Sequence, residues 1–243
     1  MEARYAIYYT PPRDSALGRL GIAWLGWDHY LGEPAALLET QRLTREQHMD
    51  VTASPRRYGF HATLKAPFRL APGRSEGELC NALAEFCAGA APVTLPGLFL
   101  GALGGFVALV PSQVPLALTD LAEACITRFD SFRLPPDPAE LARRRAAGLT
   151  PAQDALLQRW GYPYVLEEWR FHMTLTDVLS NGSREQVMQE LLPRVAEFAS
   201  QPLSIESLAL FRQPTRETPF TVLRVFQLRG TAGQAGSAAE AAA

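Results

Sequence analysis

Two stretches of this chain share a pentapeptide, and they decide how the rest of the sequence is interpreted. Residues 57–70 are RYGFHATLKAPFRL and residues 167–178 are EEWRFHMTLTDV. Both contain Phe-His-x-Thr-Leu, with His61 in the first copy and His172 in the second. The chain has only 4 histidines in 243 residues. A second copy by chance is expected on the order of 10⁻³ of the time, so an internal duplication is the better interpretation.

The composition of the pentapeptide predicts a β-strand with one apolar and one polar face. Successive side chains of a strand point to opposite sides. The phenylalanine, the middle residue and the leucine of each copy therefore face a core, and the histidine and threonine face away from it. We take these polar residues as candidate catalytic groups: His61, Thr63, His172 and Thr174. The same alternation adds residues that we predict to bind a substrate phosphate: Lys65, Arg57, Arg170 and Thr176.

The segments around the two motifs alternate between strand and helix patterns. Strands are predicted at 4–10, 58–68, within 93–110, at 168–178, 203–211 and 219–228, and helices at 15–30, 75–88, 115–129 and 183–199. Strands outnumber those that a doubly wound parallel sheet needs. We therefore predict an α+β fold with two pseudosymmetric lobes, in which mostly antiparallel sheets and flanking helices surround a central cleft.

A single bilobal domain is predicted over residues 1–229. Its parts are lobe one at about 4–134, a helical insertion at about 135–160 and lobe two at about 161–229. The insertion carries Arg143-Arg144-Arg145, which we interpret as a solvated helix face rather than a phosphate-binding group. Residues 230–243 lack apolar anchors and are predicted to form a disordered tail.

Composition restricts the possible partners. The net charge is −2 and the pI is about 6.1. Proteins that bind long nucleic acid usually carry a basic surface, because phosphate neutralisation drives their affinity. We therefore expect a small anionic phosphate-ester substrate rather than long nucleic acid. No secretory signal is visible in residues 1–10 and no apolar run reaches the length of a membrane span, so we expect a cytoplasmic protein without a membrane partner.

Paired histidines on polar faces are typical of general acid–base catalysis, because the imidazole pKa lies near neutrality. One histidine would accept a proton from water and the other would protonate the departing oxygen; the sequence leaves open which does which. A metal hydrolase is the rival hypothesis. The sequence has no His-Glu-x-x-His pattern, and Asp177 falls on the opposite strand face from the histidines. We therefore predict neither a metal nor a cofactor.

The two motifs resemble those of the 2H phosphoesterase superfamily, which includes 2′,3′-cyclic phosphodiesterases and RNA 2′,5′-ligase-like proteins. Residues 57–70 and 160–175 are more specifically similar to a branch found with phosphonate-utilisation operons. The resemblance covers residues 4 to about 229. It implies two pseudosymmetric lobes around a water-filled cleft, no required metal, and a cyclic phosphate or phosphorylated ribose as substrate. The segment 135–160 exceeds the smaller members of the superfamily.

These observations predict a metal-independent phosphoesterase. Its substrate would be a small phosphate ester, such as a ribose or nucleotide cyclic phosphate, and the resemblance suggests a place in phosphonate metabolism. The alternative is a non-catalytic module that binds a nucleotide or RNA with the same fold. The two hypotheses differ in whether replacement of either histidine abolishes turnover.

Overall fold

The computed structural model of the protein describes residues 3–231. The strands are β1 (Arg4–Tyr9), β2 (Trp27–Asp28), β3 (Glu33–Pro34), β4 (Ala62–Arg69), β5 (Val93–Leu95), β6 (Leu98–Leu103), β7 (Phe106–Pro111), β8 (Met173–Thr174), β9 (Leu203–Ile205), β10 (Ser207–Gln213) and β11 (Thr221–Gln227). The helices are α1 (Ala16–Leu25), α2 (Arg45–Val51), α3 (Ala53–Arg56), α4 (Glu76–Gly89), α5 (Leu116–Arg128), α6 (Pro138–Arg145), α7 (Pro151–Trp160) and α8 (Asn181–Ala199).

A seven-stranded sheet organises the molecule, in the order β11-β10-β1-β4-β8-β7-β6. Every neighbouring pair in it is antiparallel. The two motif strands, β4 and β8, are adjacent at its centre. The predicted α+β class with an antiparallel sheet and flanking helices is confirmed.

The two halves of the sequence interleave within this sheet. β10 and β11 come late in the chain but extend the sheet beside β1, whereas β6 and β7 come early but lie beside β8. The lobes that we assigned by sequence position, about 4–134 and about 161–229, therefore exchange strands. The two motif strands pair with each other, so the two copies of the pentapeptide meet at the centre of the sheet.

Helices cover one face of the sheet and leave the histidine face to loops and the insertion. The main core joins apolar residues of α1, α4, α5 and α8 to Ile7, Leu64 and Met173 of the sheet. A smaller cluster on the opposite face contains Tyr8 and Phe211. Apolar side chains at alternate strand positions thus reach two different cores.

The second motif forms less regular strand than its sequence predicts. Strand pairing was expected over 168–178, but only β8 is regular. The chain leaves the ladder because Leu175 and Thr176 both donate backbone hydrogen bonds to the carbonyl of Val107, at 2.9 and 3.2 Å. Two residues facing one is the arrangement of a β-bulge, which bends a strand and ends its pairing.

Helix ends agree with local capping rules more closely than with our predicted bounds. A capping box of Ser75 and Glu78 begins α4, in agreement with the predicted start at 75. The predicted helix over 15–30 instead ends at Leu25, because Gly26 adopts a left-handed conformation with φ of 64°. Ser180 caps α8, so this helix begins before the predicted residue 183.

The insertion contains the two predicted helices, α6 and α7. Among residues 3–231, no helix has the length and apolar character needed to cross a membrane. The predicted disordered tail at 230–243 lies outside the described residues except for its first two positions. Of these, Gly230 donates a backbone hydrogen bond of 2.9 Å to Ala90.

Candidate active site

The two histidines are held by the same local hydrogen bond. His61 Nδ1 lies 2.8 Å from the carbonyl of Gly59, and His172 Nδ1 lies 2.8 Å from the carbonyl of Arg170. A carbonyl only accepts, so Nδ1 is the donor in each ring. Nε2 is then the nitrogen that accepts a proton in the neutral imidazole. Each motif thus fixes the same tautomer through the residue two positions earlier.

The turn before His61 requires glycine. Gly59 has φ of 75°, a conformation that side-chain-bearing residues rarely adopt. A Cβ at this position would lie 2.6 Å from Cβ of His29. His29 is itself buried and bonded to the hydroxyl of Thr10 at 2.8 Å. The turn packs closely against His29, and this contact positions the Gly59 carbonyl that orients His61.

The pairing of β4 with β8 brings the four candidate catalytic residues onto one face. Ala62 lies opposite Met173 in the antiparallel register. His61 then faces Thr174 across the strands, and Thr63 faces His172. The two histidines are diagonal neighbours, for which Cβ atoms are about 7–8 Å apart. A phosphate group can contact both imidazoles at this separation.

An aromatic wall surrounds His61. The ring of Tyr8 stacks on the imidazole with centroids 3.7 Å apart and an interplanar angle of 20°. Tyr58 and Phe211 lie 6.3 and 6.2 Å away. Near His172, Phe106 lies at 5.7 Å. The sequence analysis placed Tyr8 only within a predicted strand. The alternation of side chains along β1 puts Tyr8 on the face that carries the histidines.

Burial favours the neutral form of both imidazoles. It lowers the pKa of His61 to about 3, an effect opposed by the Gly59 carbonyl and reinforced by the charges of His172 and His29. Burial also lowers the pKa of His172, and the Arg170 carbonyl opposes it. An anion bound between the two imidazoles would raise both pKa values.

Two predicted phosphate contacts are replaced by structural roles. Lys65 is 4% exposed, donates to the carbonyl of Ile126 at 2.9 Å and lies 3.7 Å from Asp130. The register changes between the pairs Tyr8–Thr63 and Ile7–Lys65, which marks an extra residue in β4. A bulge of this kind breaks the alternation on which the predicted position of Lys65 depended. The ammonium consequently points to the end of α5.

Thr176 is the second correction. Its side chain is 1% exposed, and its hydroxyl accepts from the backbone amide of Val107 and donates to the carbonyl of Asp177. Both partners are backbone groups, so the hydroxyl has no donor left for a phosphate. The irregular end of β8 again explains why simple alternation failed.

The remaining predicted residues stay at the surface of the motif face. Thr63 and Thr174 are half-buried, and the side chains of Arg57 and Arg170 are exposed. The guanidinium of Arg57 donates to the carbonyl of Arg216. Within residues 3–231, no group of three or more His, Cys, Asp or Glu side chains is arranged to hold a metal ion.

Comparison with known proteins places the chain in a family. Residues 63–221 match the model described as Protein of unknown function (DUF1045). The chain belongs to the DUF1045 family.

Two curated relatives of this DUF1045 chain carry the name ribose 1,5-bisphosphate phosphokinase PhnN. The protein from Janthinobacterium sp. (strain Marseille) is 40% identical over 221 residues, which cover 89% of this chain and 49% of the relative. That from Laribacter hongkongensis (strain HLHK9) is 36% identical over 232 residues, covering 93% and 52%. The chain spans about half the length of these relatives. The family match and the PhnN-named relatives confirm the predicted resemblance to the phosphonate-associated branch.

Solved structures similar to the DUF1045 chain include two at low identity. LigT of E. coli complexed with 3′-AMP has a TM-score of 0.46 and 13% identity over 94% of this chain and 99% of that one. The protein TT0787 of Thermus thermophilus has a TM-score of 0.45 and 16% identity over 94% and 100%. At these values the likeness gives this chain neither an activity nor a ligand.

Proposed function

We propose that this chain is a metal-independent phosphodiesterase that opens a cyclic phosphodiester by two-histidine general acid–base catalysis. One observation carries the proposal. His61 and His172 immediately precede the adjacent antiparallel strands β4 and β8, and each has Nδ1 bound to the carbonyl two residues earlier. Two identically oriented imidazoles on one strand face form a pair that can hold one proton at Nε2 of either ring.

The reaction that this pair supports is hydrolysis. The oxygen of water attacks phosphorus while the neutral histidine accepts the proton that the water loses. The bond between phosphorus and one sugar oxygen breaks, and the protonated histidine donates its proton to that oxygen. The products are a phosphate monoester and a free hydroxyl, and the two histidines recover their starting states by proton exchange with solvent.

Neutral and charged donors would stabilise the transition state. We assign Thr63 and Thr174 to the non-bridging phosphate oxygens, since each faces a histidine across the β4–β8 pair. Arg57 and Arg170 precede the two histidines at the surface and would offset the growing negative charge. Hydrogen-bond donors and cations of this kind can stabilise the transition-state charge that a metal ion stabilises in metal-dependent enzymes.

The names of the relatives support a substrate class. Their names contain ribose 1,5-bisphosphate, and this chain corresponds to about half of each of them. Hydrolysis of 5-phosphoribosyl 1,2-cyclic phosphate at the oxygen on C2 yields ribose 1,5-bisphosphate. We therefore propose this cyclic phosphate as the substrate.

The test is direct product analysis. The protein is incubated with 5-phosphoribosyl 1,2-cyclic phosphate, with and without EDTA, and the phosphorus NMR spectrum is followed. We expect a monoester signal of ribose 1,5-bisphosphate at equal rates in both samples. Turnover that EDTA stops and a divalent ion restores would exclude metal independence. Tight binding without turnover would favour the non-catalytic module.

A further inference from the structure

A cavity lined by arginines borders the insertion. It is open to solvent, and its lining includes Arg4, Arg69, Arg133, Arg216 and Glu140. Four guanidinium groups against one carboxylate make the wall strongly positive. The segment that leads into the insertion and the insertion itself contribute Leu134, Pro136 and Glu140 to this wall.

The cavity lies on the same face of the sheet as the histidines. Arg4 is opposite Arg69 in the β1–β4 pair, and Tyr8 is opposite Thr63. Arg4 and Tyr8 are four residues apart on β1, a separation of about 13 Å along a strand. The ring of Phe220 lies between the two places: the Arg4 guanidinium is 5.3 Å from its centroid, and Tyr58, 6.3 Å from the His61 ring, stacks on it at 5.4 Å.

Part of the positive charge is compensated by carboxylates of the insertion and of the segment before it. Arg69 lies 3.5 Å from Asp137 and 3.9 Å from Glu140, and these two contacts attach the start of α6 to the sheet. Arg133 forms a local ion pair with Asp130 at 2.8 Å, before the insertion begins.

Within residues 3–231, Arg4 and Arg216 have no carboxylate partner, and Arg133 keeps one unbonded N–H group. The hydrogen-bond partner of the Arg4 side chain is the neutral side chain of Gln213, at 2.7 Å from Nε. Among the described residues, Arg216 forms no salt bridge, and its charge lowers the pKa of Arg4 after the larger effect of burial. Arg133 is 10% exposed, and its buried Nη1 has no hydrogen-bond partner within residues 3–231. A buried donor without a partner is costly, and an anion in the cavity would satisfy it.

We infer that this cavity is a subsite for a second phosphate group of the substrate. The inference rests on the proposed function and narrows it: the substrate carries a phosphate monoester, held by Arg4, Arg133 and Arg216, besides the phosphodiester at the histidines. The insertion then has a role in selectivity, because it closes the wall of the cavity. Arg143 of the insertion is not assigned to this subsite, since its side chain is 58% exposed.

Kinetics on matched substrates test the inference. We expect the wild type to prefer 5-phosphoribosyl 1,2-cyclic phosphate over ribose 1,2-cyclic phosphate in kcat/KM. Arg4→Gln and Arg216→Ala should each reduce that preference by roughly 10- to 100-fold, as loss of a charge-assisted hydrogen bond predicts. Arg143→Gln is the matched control and should leave the preference within about twofold. An unchanged preference in folded Arg4→Gln and Arg216→Ala proteins would overturn the subsite while leaving the proposed reaction intact.

Binding provides a readout that does not depend on turnover. In a His61→Ala/His172→Ala background, ribose 5-phosphate should bind by calorimetry, and ribose should not. Adding Arg216→Ala should weaken that binding by roughly 10-fold or more; this residue is exposed, so the fold is not at risk. Such a loss would support the subsite even if the cyclic phosphate is never hydrolysed. Inorganic phosphate binding as tightly as ribose 5-phosphate would assign the cavity to a free anion and overturn the inference.

Discussion

The two motif strands have the same sequence pattern but different surroundings. His61 is followed by β4, eight residues long, and its ring stacks on the buried Tyr8. His172 precedes β8, two residues long, and its hydrogen bond to Arg170 lies at the surface. A duplicated pentapeptide thus reproduces the orientation of an imidazole but not its environment. Within the proposed mechanism, we assign His61 as the neutral general base and His172 as the general acid, because the Nδ1 hydrogen bond of His61 is partly buried and that of His172 is exposed.

The largest expected effect is the loss of either histidine. His61→Ala and His172→Ala should each lower kcat/KM by about 10²- to 10⁴-fold. The double variant should be little worse than the poorer single variant, because an acid and base that act together are not additive. The measurement is kcat/KM on the cyclic phosphodiester, with circular dichroism as the control for folding. Near-wild-type rates in a folded variant would refute the mechanism.

The proposed division of roles predicts an asymmetry between these variants. A general acid matters less when the leaving group departs without a proton. The defect of His172→Ala should therefore shrink by roughly 10-fold or more on a p-nitrophenyl phosphodiester, whereas the defect of His61→Ala should persist. Rates of both variants on the two substrate types check this. The opposite pattern would exchange the roles.

The pH dependence reports the environment of the pair. Since burial lowers both pKa values below the usual 6.5, the protonated acid is lost as the pH rises through the higher of the two. The optimum of kcat/KM for the free protein should thus lie below pH 6.5, on the acidic side of the neutral optimum that unperturbed histidines would give. An optimum at or above pH 7 would show that the pair is more hydrated than the structure indicates.

Removing the aromatic ring beside His61 should make the pKa values of the two histidines more similar. Tyr8→Leu admits water beside His61, so the pKa of His61 should rise. The acidic limb of the pH–rate profile should then shift to higher pH by on the order of one unit. Phe106→Leu, beside His172, is the matched variant and should shift the profile less, because that ring lies 5.7 Å away rather than 3.7 Å. Equal shifts would contradict the proposed difference between the sites.

The smallest effect concerns the threonines. Thr63→Ala and Thr174→Ala each remove one neutral hydrogen bond to phosphate, which predicts a loss of roughly 2- to 10-fold in kcat/KM. Their cross-strand positions are equivalent, so the two losses should be similar. Thr176→Ala makes a useful contrast: its hydroxyl bonds only backbone, and the change should appear in the thermal unfolding midpoint. A loss above about 10²-fold in either motif threonine would indicate a role beyond binding.

The sequence alone predicted much of the fold. Period-two alternation predicted which residues of each pentapeptide enter the core, and Phe60, Ala62, Leu64, Phe171, Met173 and Leu175 are all buried. The apolar pattern of 75–88 located α4, and the helical character of 135–160 located the helices of the insertion. These features depend on neighbours within a few residues, so the chain specifies them without reference to the rest of the molecule.

Long-range pairing was decided only by the tertiary structure. The sequence did not show that β10 and β11 return to β1, because strand order depends on which apolar faces meet across the whole chain. The bulge that turns Lys65 toward α5 arises from the register of β1 against β4, and the bond of Thr176 to Val107 arises from the end of β8. Arg4, Arg69, Arg133 and Arg216 are distant in sequence and meet in one cavity only after the sheet and the insertion assemble. The repeated pentapeptide therefore identified the two histidines as a candidate pair, whereas their electrostatic surroundings depend on side chains that only folding brings together.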